Sequence, residues 1–285
     1  MGNILSTIFF ILQNVIPFLK TAIDYYKKRK IKLILGGKDL NNMILTFPSF
    51  GVINLRKPPQ NDEEALADAA RIICFFQIPS QKKAISQTFF RVFPIVSLAE
   101  IRSISYLNSL LNNVNITPQI KPDFSEIVDE DNSNNLISFG LFCTKSMDII
   151  NDNPFIELKK PELFGVPGNF TIKGLNISFQ NSEEHSYAII IRKTLVENNT
   201  RIVCAGFDEW GTSGAAYCLA KQHEIIYNSI KSVYPFRCYR EMPDFLCIIE
   251  AVREYDEKAQ IHSVWIQDNK LKNSLRKIYD AQITG

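Results

Sequence analysis

Residues 4–19, ILSTIFFILQNVIPFL, carry no charge, and the apolar tract thins through Tyr25-Tyr26 into Lys27-Lys28-Arg29-Lys30. Beyond that cluster, short apolar runs bounded by glycine or polar residues alternate with stretches whose apolar positions recur at helical spacing. Residues 31–35 read as a strand ended by Gly36-Gly37, and residues 62–76 as a helix opened by acids. Residues 89–96 are strand-like, and Ser97-Leu-Ala-Glu100 is a capping box launching a helix to about Leu111. The polar stretch 117–135 is expected to be an exposed loop or a lobe boundary. Residues 136–143 read as a strand, 153–169 as loop, and 171–179 with 187–193 as a strand pair separated by 180–184. A buried strand at 201–205, a long helix over 212–230, another buried strand at 245–252 and a short basic helix at 271–279 complete the pattern. Short apolar strands alternating with helices imply an α/β fold. The expected form is a Rossmann-like, largely parallel sheet with helices on both faces, preceded by an N-terminal membrane-associated helix.

The first thirty residues set the domain division, 1–30 as anchor and 31–285 as the α/β ligand-binding body. Residues 4–26 are long enough as a helix to cross a hydrocarbon core of about 30 Å. The aromatic pair and four cations resemble an interfacial belt with a positive-inside flank, which keeps the body cytoplasmic. Gln13, Asn14, Pro17, Lys20 and Asp24 work against spanning. The same segment carries Ile4, Ile8, Leu12, Val15, Leu19 and Ile23 on one stripe, which suits an interfacial helix or packing on a partner. Met1-Gly2-Asn3-Ile4-Leu5-Ser6 fits the N-myristoylation pattern. A cleaved signal peptide lacks its basic start and small-residue cleavage site.

Charge sharpens this division. The net charge is +2, and residues 1–30 hold five cations against Asp24, so the rest of the chain is slightly acidic. Such a body argues against binding a nucleic-acid duplex. The six cysteines include no C-x-x-C, and most sit in apolar surroundings, which fits core packing in a reducing compartment. Three scattered histidines offer no metal-ligand spacing, so neither a metal nor another cofactor is expected.

The most pointed local feature is Arg201-Ile-Val-Cys-Ala-Gly206-Phe-Asp208-Glu209-Trp210-Gly211-Thr212-Ser213-Gly214-Ala215-Ala216. A buried strand runs into glycine, and a small-residue helix start follows an acidic-aromatic loop. On a parallel sheet this places the loop at the carboxyl edge, where open α/β sheets bind ligands. Free N–H groups with the Thr212 and Ser213 hydroxyls suit a phosphate or carboxylate, and Trp210 suits a base. The alternative is that Gly211-Thr212 only turns and caps the helix. Gly36, Gly37, Lys38 and Asn41 after the first strand, and Gly140 with Thr144 and Lys145 after another, would add polar and cationic contacts if the three strand ends line one cleft. Asp208, Glu209 and Glu183-Glu184-His185 are the candidates for acid–base chemistry.

Gly-Gly followed by Asn after a first strand, and Ala-Gly-x4-Gly-Thr opening a later helix, resemble Rossmann-type ligand-binding domains of prokaryotic signalling and defence proteins. The nearest named family is the Lonely Guy phosphoribohydrolases with their sensor-type relatives, over roughly residues 31–252. Enzymes of that family carry P-G-G-x-G-T-x-x-E, whereas Ala215 stands here where the catalytic glutamate would be. The resemblance therefore implies nucleotide binding without the family's hydrolysis.

The function expected is a membrane-anchored sensor or effector whose body binds a small anionic, nucleotide-derived signal and self-associates. Its rivals are a nucleotide glycohydrolase or phosphohydrolase using Asp208 or Glu209, and a non-catalytic scaffold whose N-terminal helix packs on a partner.

Overall fold

The computed structural model describes residues 16–36, 40, 42–48, 50–54, 91–95, 97–123, 134–141, 143–153, 156–159, 168–173, 175, 177–195, 199–234, 242–267 and 275–281. The expected helix at 62–76 lies outside them. In chain order the elements are α1 (Ile16–Leu35), β1 (Met43–Phe47), β2 (Phe50–Asn54), β3 (Arg91–Ile95), α2 (Leu98–Asn112), β4 (Gln119–Pro122) and β5 (Asn135–Phe139). Then come α3 (Thr144–Asn151), β6 (Ile156–Lys159), β7 (Asn169–Ile172), β8 (Ile177–Gln180), β9 (His185–Thr194) and β10 (Thr200–Gly206). The C-terminal part holds α4 (Glu209–Lys221), α5 (His223–Val233), β11 (Phe245–Val252), β12 (Tyr255–Gln267) and β13 (Leu275–Asp280).

Eight strands form one sheet in the order β13-β12-β11-β9-β10-β5-β1-β4. The fold is mixed α/β, but only half of this sheet is parallel. β4, β1, β5 and β10 run together, whereas β9, β11, β12 and β13 pair antiparallel. Both faces are covered, so β5 and β10 are buried along their full length. That explains their unbroken apolar character. Along β10, Ile202 and Cys204 face the core shared with α1, α2, α4 and α5. Val203 and Ala205 face the second core, closed by α3 and the small antiparallel sheet β6-β7-β8. Cys143, Cys204, Cys218 and Cys247 are buried and free. Burial pushes all four thiols well above the ordinary range.

Several expectations are corrected. Residues 31–35 are not a strand but the last turns of α1, and the boundary between 30 and 31 falls inside that helix. Ile31, Ile34 and Leu35 lie at i, i+3 and i+4, all buried, and a short apolar run is compatible with either period. The stretch 117–135 contains β4, paired in register with β1, so strands on both sides of it belong to one sheet. The stretch 153–169 contains β6, paired to β7. The expected hairpin near 171–193 is split: β7 pairs with β8 in the small sheet, while β9 joins the large one. The helix over 212–230 breaks at Gln222, whose side chain donates to Ala259 O at 2.7 Å and accepts from Ile261 N at 3.3 Å. Residues 275–280 are the edge strand β13, not a helix.

The attachment of α1 rests on Arg192 in β9, 5% exposed. Its Nε donates to Ile34 O at 2.9 Å, and its Nη1 to Met242 O at 2.9 Å and Thr194 Oγ1 at 2.9 Å. Nη2 reaches Thr200 Oγ1 at 3.3 Å, and Asp244 pairs with Nη1 at 3.3 Å. Burial works against the charge and lowers the pKa to about 10, with Asp244 opposing, so the group stays cationic at neutral pH. Replacing Arg192 by Leu should destabilise the fold by about 3 kcal/mol or more, because buried carbonyls lose their donors. Urea unfolding checks this; an unchanged midpoint contradicts the role.

Candidate functional site

At the carboxyl edge of β10 the chain turns through Phe207-Asp208 into α4. Asp208 is the N-cap, extended at φ −134°, and its carboxylate is enclosed by donors. Oδ1 accepts from Ser186 Oγ at 2.5 Å and from Gly211 N at 2.8 Å. Oδ2 accepts from Asn181 Nδ2 at 3.1 Å and from Arg253 Nη2 at 3.4 Å. The helix start expected to attract an anion thus already holds one, supplied by its own chain.

The glycines leave no space for a second. A Cβ on Gly206 would lie 2.7 Å from Gly211 Cα, and one on Gly211 would lie 2.7 Å from Ser186 Oγ. A Cβ on Gly214 would meet Ala251 Cβ at 2.8 Å and Ala259 Cβ at 3.0 Å. Thr212 Oγ1 accepts from Gly206 N at 3.1 Å, and Ser213 Oγ donates to Glu209 O at 2.9 Å. Gly206, Gly211, Thr212, Ser213 and Gly214 do come together, all buried, but around one another. They let α4 lie directly on the sheet, as the turn-and-cap alternative holds. Trp210 stacks under the Arg102 guanidinium at 4.4 Å, and Arg102 in turn pairs with Asp256 at 2.9 Å. Glu209 is exposed.

The three-strand cleft does not assemble as expected. Thr144 opens α3 near the same carboxyl edge, but its N–H and hydroxyl both reach Asp123 Oδ2, at 3.1 and 3.3 Å. Lys145 is half-buried beside it and has polar company of its own. Gly36 sits at the opposite edge, where a Cβ would meet Asn135 Oδ1 at 2.6 Å and Thr200 Oγ1 at 3.0 Å. Those residues begin β5 and β10. With φ at +141° and its N–H on Lys32 O at 3.1 Å, Gly36 stops α1 against the body. Gly37, Lys38 and Asn41 lie outside the described residues. Of the remaining acid–base candidates, Glu184 is exposed, and His185 Nδ1 lies 3.2 Å from Glu250 Oε1. Ser186 is fully buried, out of reach of a substrate.

What sequence reading missed is the role of Glu100. Between β1 and β5 the connections diverge: β1 leads towards α2 on one face and β5 into α3 on the other. Such a switch point is where open α/β sheets seat ligands. Glu100, in the first turn of α2, is 6% exposed there. The Ser97 hydroxyl accepts from Glu100 N at 3.5 Å, as the capping box requires. Burial pushes the carboxyl up to about 6, with Glu209 adding to the rise and the Ser97 and Glu100 N–H groups opposing it. Oε2 finds no donor. Gly140, at φ +76°, passes close enough that a Cβ would stand 3.3 Å from Oε1. Thr46 Oγ1, in register beside Ser138, is also buried without a partner. Such a carboxyl accepts a hydrogen bond from an N–H or O–H brought to it, and it changes charge near neutrality. The S-x-x-E spacing signalled the cap; nothing in it signalled the burial.

Among the described residues, no group of three or more His, Cys, Asp or Glu is placed to hold a metal ion. Compared with protein-family models, curated proteins and solved structures, the chain matches none.

Two outcomes follow from this geometry. Asp208→Ala should cost about 1–3 kcal/mol in stability, as an N-cap and a partly buried acceptor are lost together; a variant with an unchanged thermal midpoint would show the cap to be dispensable. Glu100 has a folded pKa raised from 4.5 to about 6. Its stability contribution is therefore fullest below 4.5 and is lost as pH rises through 6. Glu100→Gln keeps the capping geometry without the charge. It should be more stable than the parent by up to about 2 kcal/mol at pH 8, with the gap closing by pH 4. Urea titrations at both pH values test this, and a pH-independent gap contradicts it.

Proposed function

We propose that the chain is a membrane-anchored sensor or effector, held by its N-terminal segment with the body in the cytoplasm. In this reading the state of the body is passed to the membrane segment through α1, without chemical turnover. The observation that carries it is the continuity of α1. One helix runs from Ile16 through the Lys27–Lys30 cluster into the core, where Ile31, Ile34 and Leu35 are buried and Arg192 holds Ile34 O. Nothing flexible separates the basic flank from the body: Lys30 pairs with Glu224 at 3.3 Å, and Lys231 donates to Tyr26 Oη at 3.3 Å.

Among the described residues no helix is long and apolar enough to cross a membrane. A spanning segment would draw on residues 4–15, which lie outside them. The expected nucleotide anion draws no support from the two helix starts, which already hold Asp123 and Asp208. The switch point beside Glu100 supports instead a small ligand that offers an N–H or O–H to a carboxylate once the buried Oε2 is uncovered. Asp208, saturated by four donors, supports the absence of turnover. The scaffold reading keeps one observation in its favour, the exposed Leu19 and Ile23 on α1.

Flotation of the full-length chain with phosphatidylcholine–phosphatidylglycerol vesicles tests the anchor. The parent should float, and Ile8→Asp combined with Leu12→Asp should leave it at the bottom of the gradient. A parent chain that stays at the bottom overturns the anchored reading.

A further inference from the structure

We infer that α1 is also a pairing surface for a second copy of this chain, joined in parallel through a seam that includes Leu19, Ile23 and Tyr26. In α1, Leu19 and Ile23 are 52% and 55% exposed and Tyr26 is 38% exposed. The sequence carries this spacing further. Leu5, Phe9, Leu12, Ile16, Leu19, Ile23 and Tyr26 follow one another at alternating steps of four and three. That is the period of a two-helix seam, narrower than the face a helix turns to a globular core.

The residue types sort with the two seam positions. One position takes Phe9, Ile16 and Ile23, and the other takes Leu5, Leu12, Leu19 and Tyr26. Apart from Phe9 and Tyr26, the first position is isoleucine and the second leucine, the pairing that favours two parallel strands. In a parallel pair each residue meets its own counterpart, so isoleucine and leucine layers form from one sequence alone.

The body shows where the seam ends. Its next position is Lys30, whose Nζ pairs with Glu224 and stands 5.4 Å from the centroid of Tyr227, both in α5. Tyr26 is the last residue of the stripe that reaches outward, and Lys231 of α5 touches its hydroxyl. From there downward α5 of the same chain takes the place a partner helix holds above. Two copies would therefore pair up to Tyr26 and diverge into separate bodies. Lipid is the poorer cover for residues 19–26, because a helix immersed in hydrocarbon is apolar all round. Here Lys20, Thr21 and Asp24 share those turns.

The seam does not require the membrane reading, and disulfide trapping in the full-length chain separates the two. Cys74 and Cys238 are first replaced by Ser, while the four buried thiols are left in place. Leu19→Cys and Ile23→Cys then probe the seam, and Thr21→Cys and Asp24→Cys probe the far side at matching depth. After mild copper–phenanthroline oxidation in the same vesicles, the two seam variants should give about tenfold more covalent dimer than the other two, because bridging needs Cβ atoms about 3.5–4.5 Å apart. Equal trapping at all four positions, or none, overturns the seam. A chain that floats yet is not trapped keeps the anchor and loses the seam. A chain trapped at 19 and 23 that never floats keeps the seam and loses the anchor.

Discussion

A buried guanidinium fastens the end of α1 to the sheet. The last carbonyls of any helix lack partners within it, and those of α1 end in the core rather than in water. Gly36 N satisfies Lys32 O, and Arg192 satisfies Ile34 O while also reaching Met242 O and two threonine hydroxyls. Five fixed donors in a plane suit this arrangement in a way that a lysine's single nitrogen does not. The group sits on β9, the strand that links the parallel and antiparallel halves of the sheet. Anything that holds α1 rigidly therefore acts on the centre of the body, and a coupling role for α1 has meaning only while Arg192 is in place.

The same economy of internal partners explains why the glycine-rich turn is closed. A helix start that faces solvent offers its N–H groups to whatever anion arrives. Here Asp208 and Asp123 are held at the starts of α4 and α3, and Ser186, Asn181 and Arg253 hold Asp208 in turn. The glycines then act by absence of bulk: Gly206 against Gly211, and Gly214 against Ala251 and Ala259. The result is a helix buried along most of its length between the sheet and α2.

Much of the frame was legible because the period and the punctuation agreed. β10 and β11 are apolar runs buried on both faces, and the capping box marked the start of α2 within one residue. Reading failed where tertiary contacts decided. The run 31–35 fits either period, and only its place against Arg192 makes it helix. Gln222 looks helical in sequence but is drawn out by its two bonds to β12. β12 went unread because Asp256 and its polar neighbours hide its alternation, although Asp256 is buried against Arg102. For the site, sequence located the carboxyl edge of β10, but the composition of a phosphate loop and that of a tight helix–sheet contact are the same. Gly, Thr, Ser and Ala serve both, and only the presence of Asp208 inside the turn separates them.

The two edges of the parallel half differ in a way that gives the proposed coupling a physical route. At the amino edge, Asn135 and Thr200 begin β5 and β10, are joined by Thr200 N to Asn135 Oδ1 at 2.8 Å, and abut Gly36. At the carboxyl edge, β5 ends at Phe139, and Gly140 just beyond it abuts the Glu100 carboxyl. A strand of this length spans about 17 Å and is flanked by hydrogen-bonded neighbours on both sides, so it moves as a unit or not at all. A ligand shifts such an equilibrium only by its difference in affinity for the two positions of the strand. Most polar groups at this edge are already partnered and offer little such difference. Thr46 Oγ1 and Glu100 Oε2 are exceptions among the described residues, and only the second can carry charge: a donor brought to it relieves a buried charge in one arrangement and not in the other. The weight of the proposed signal therefore falls on Glu100, an acid that the resemblance to nucleotide-binding domains did not point to.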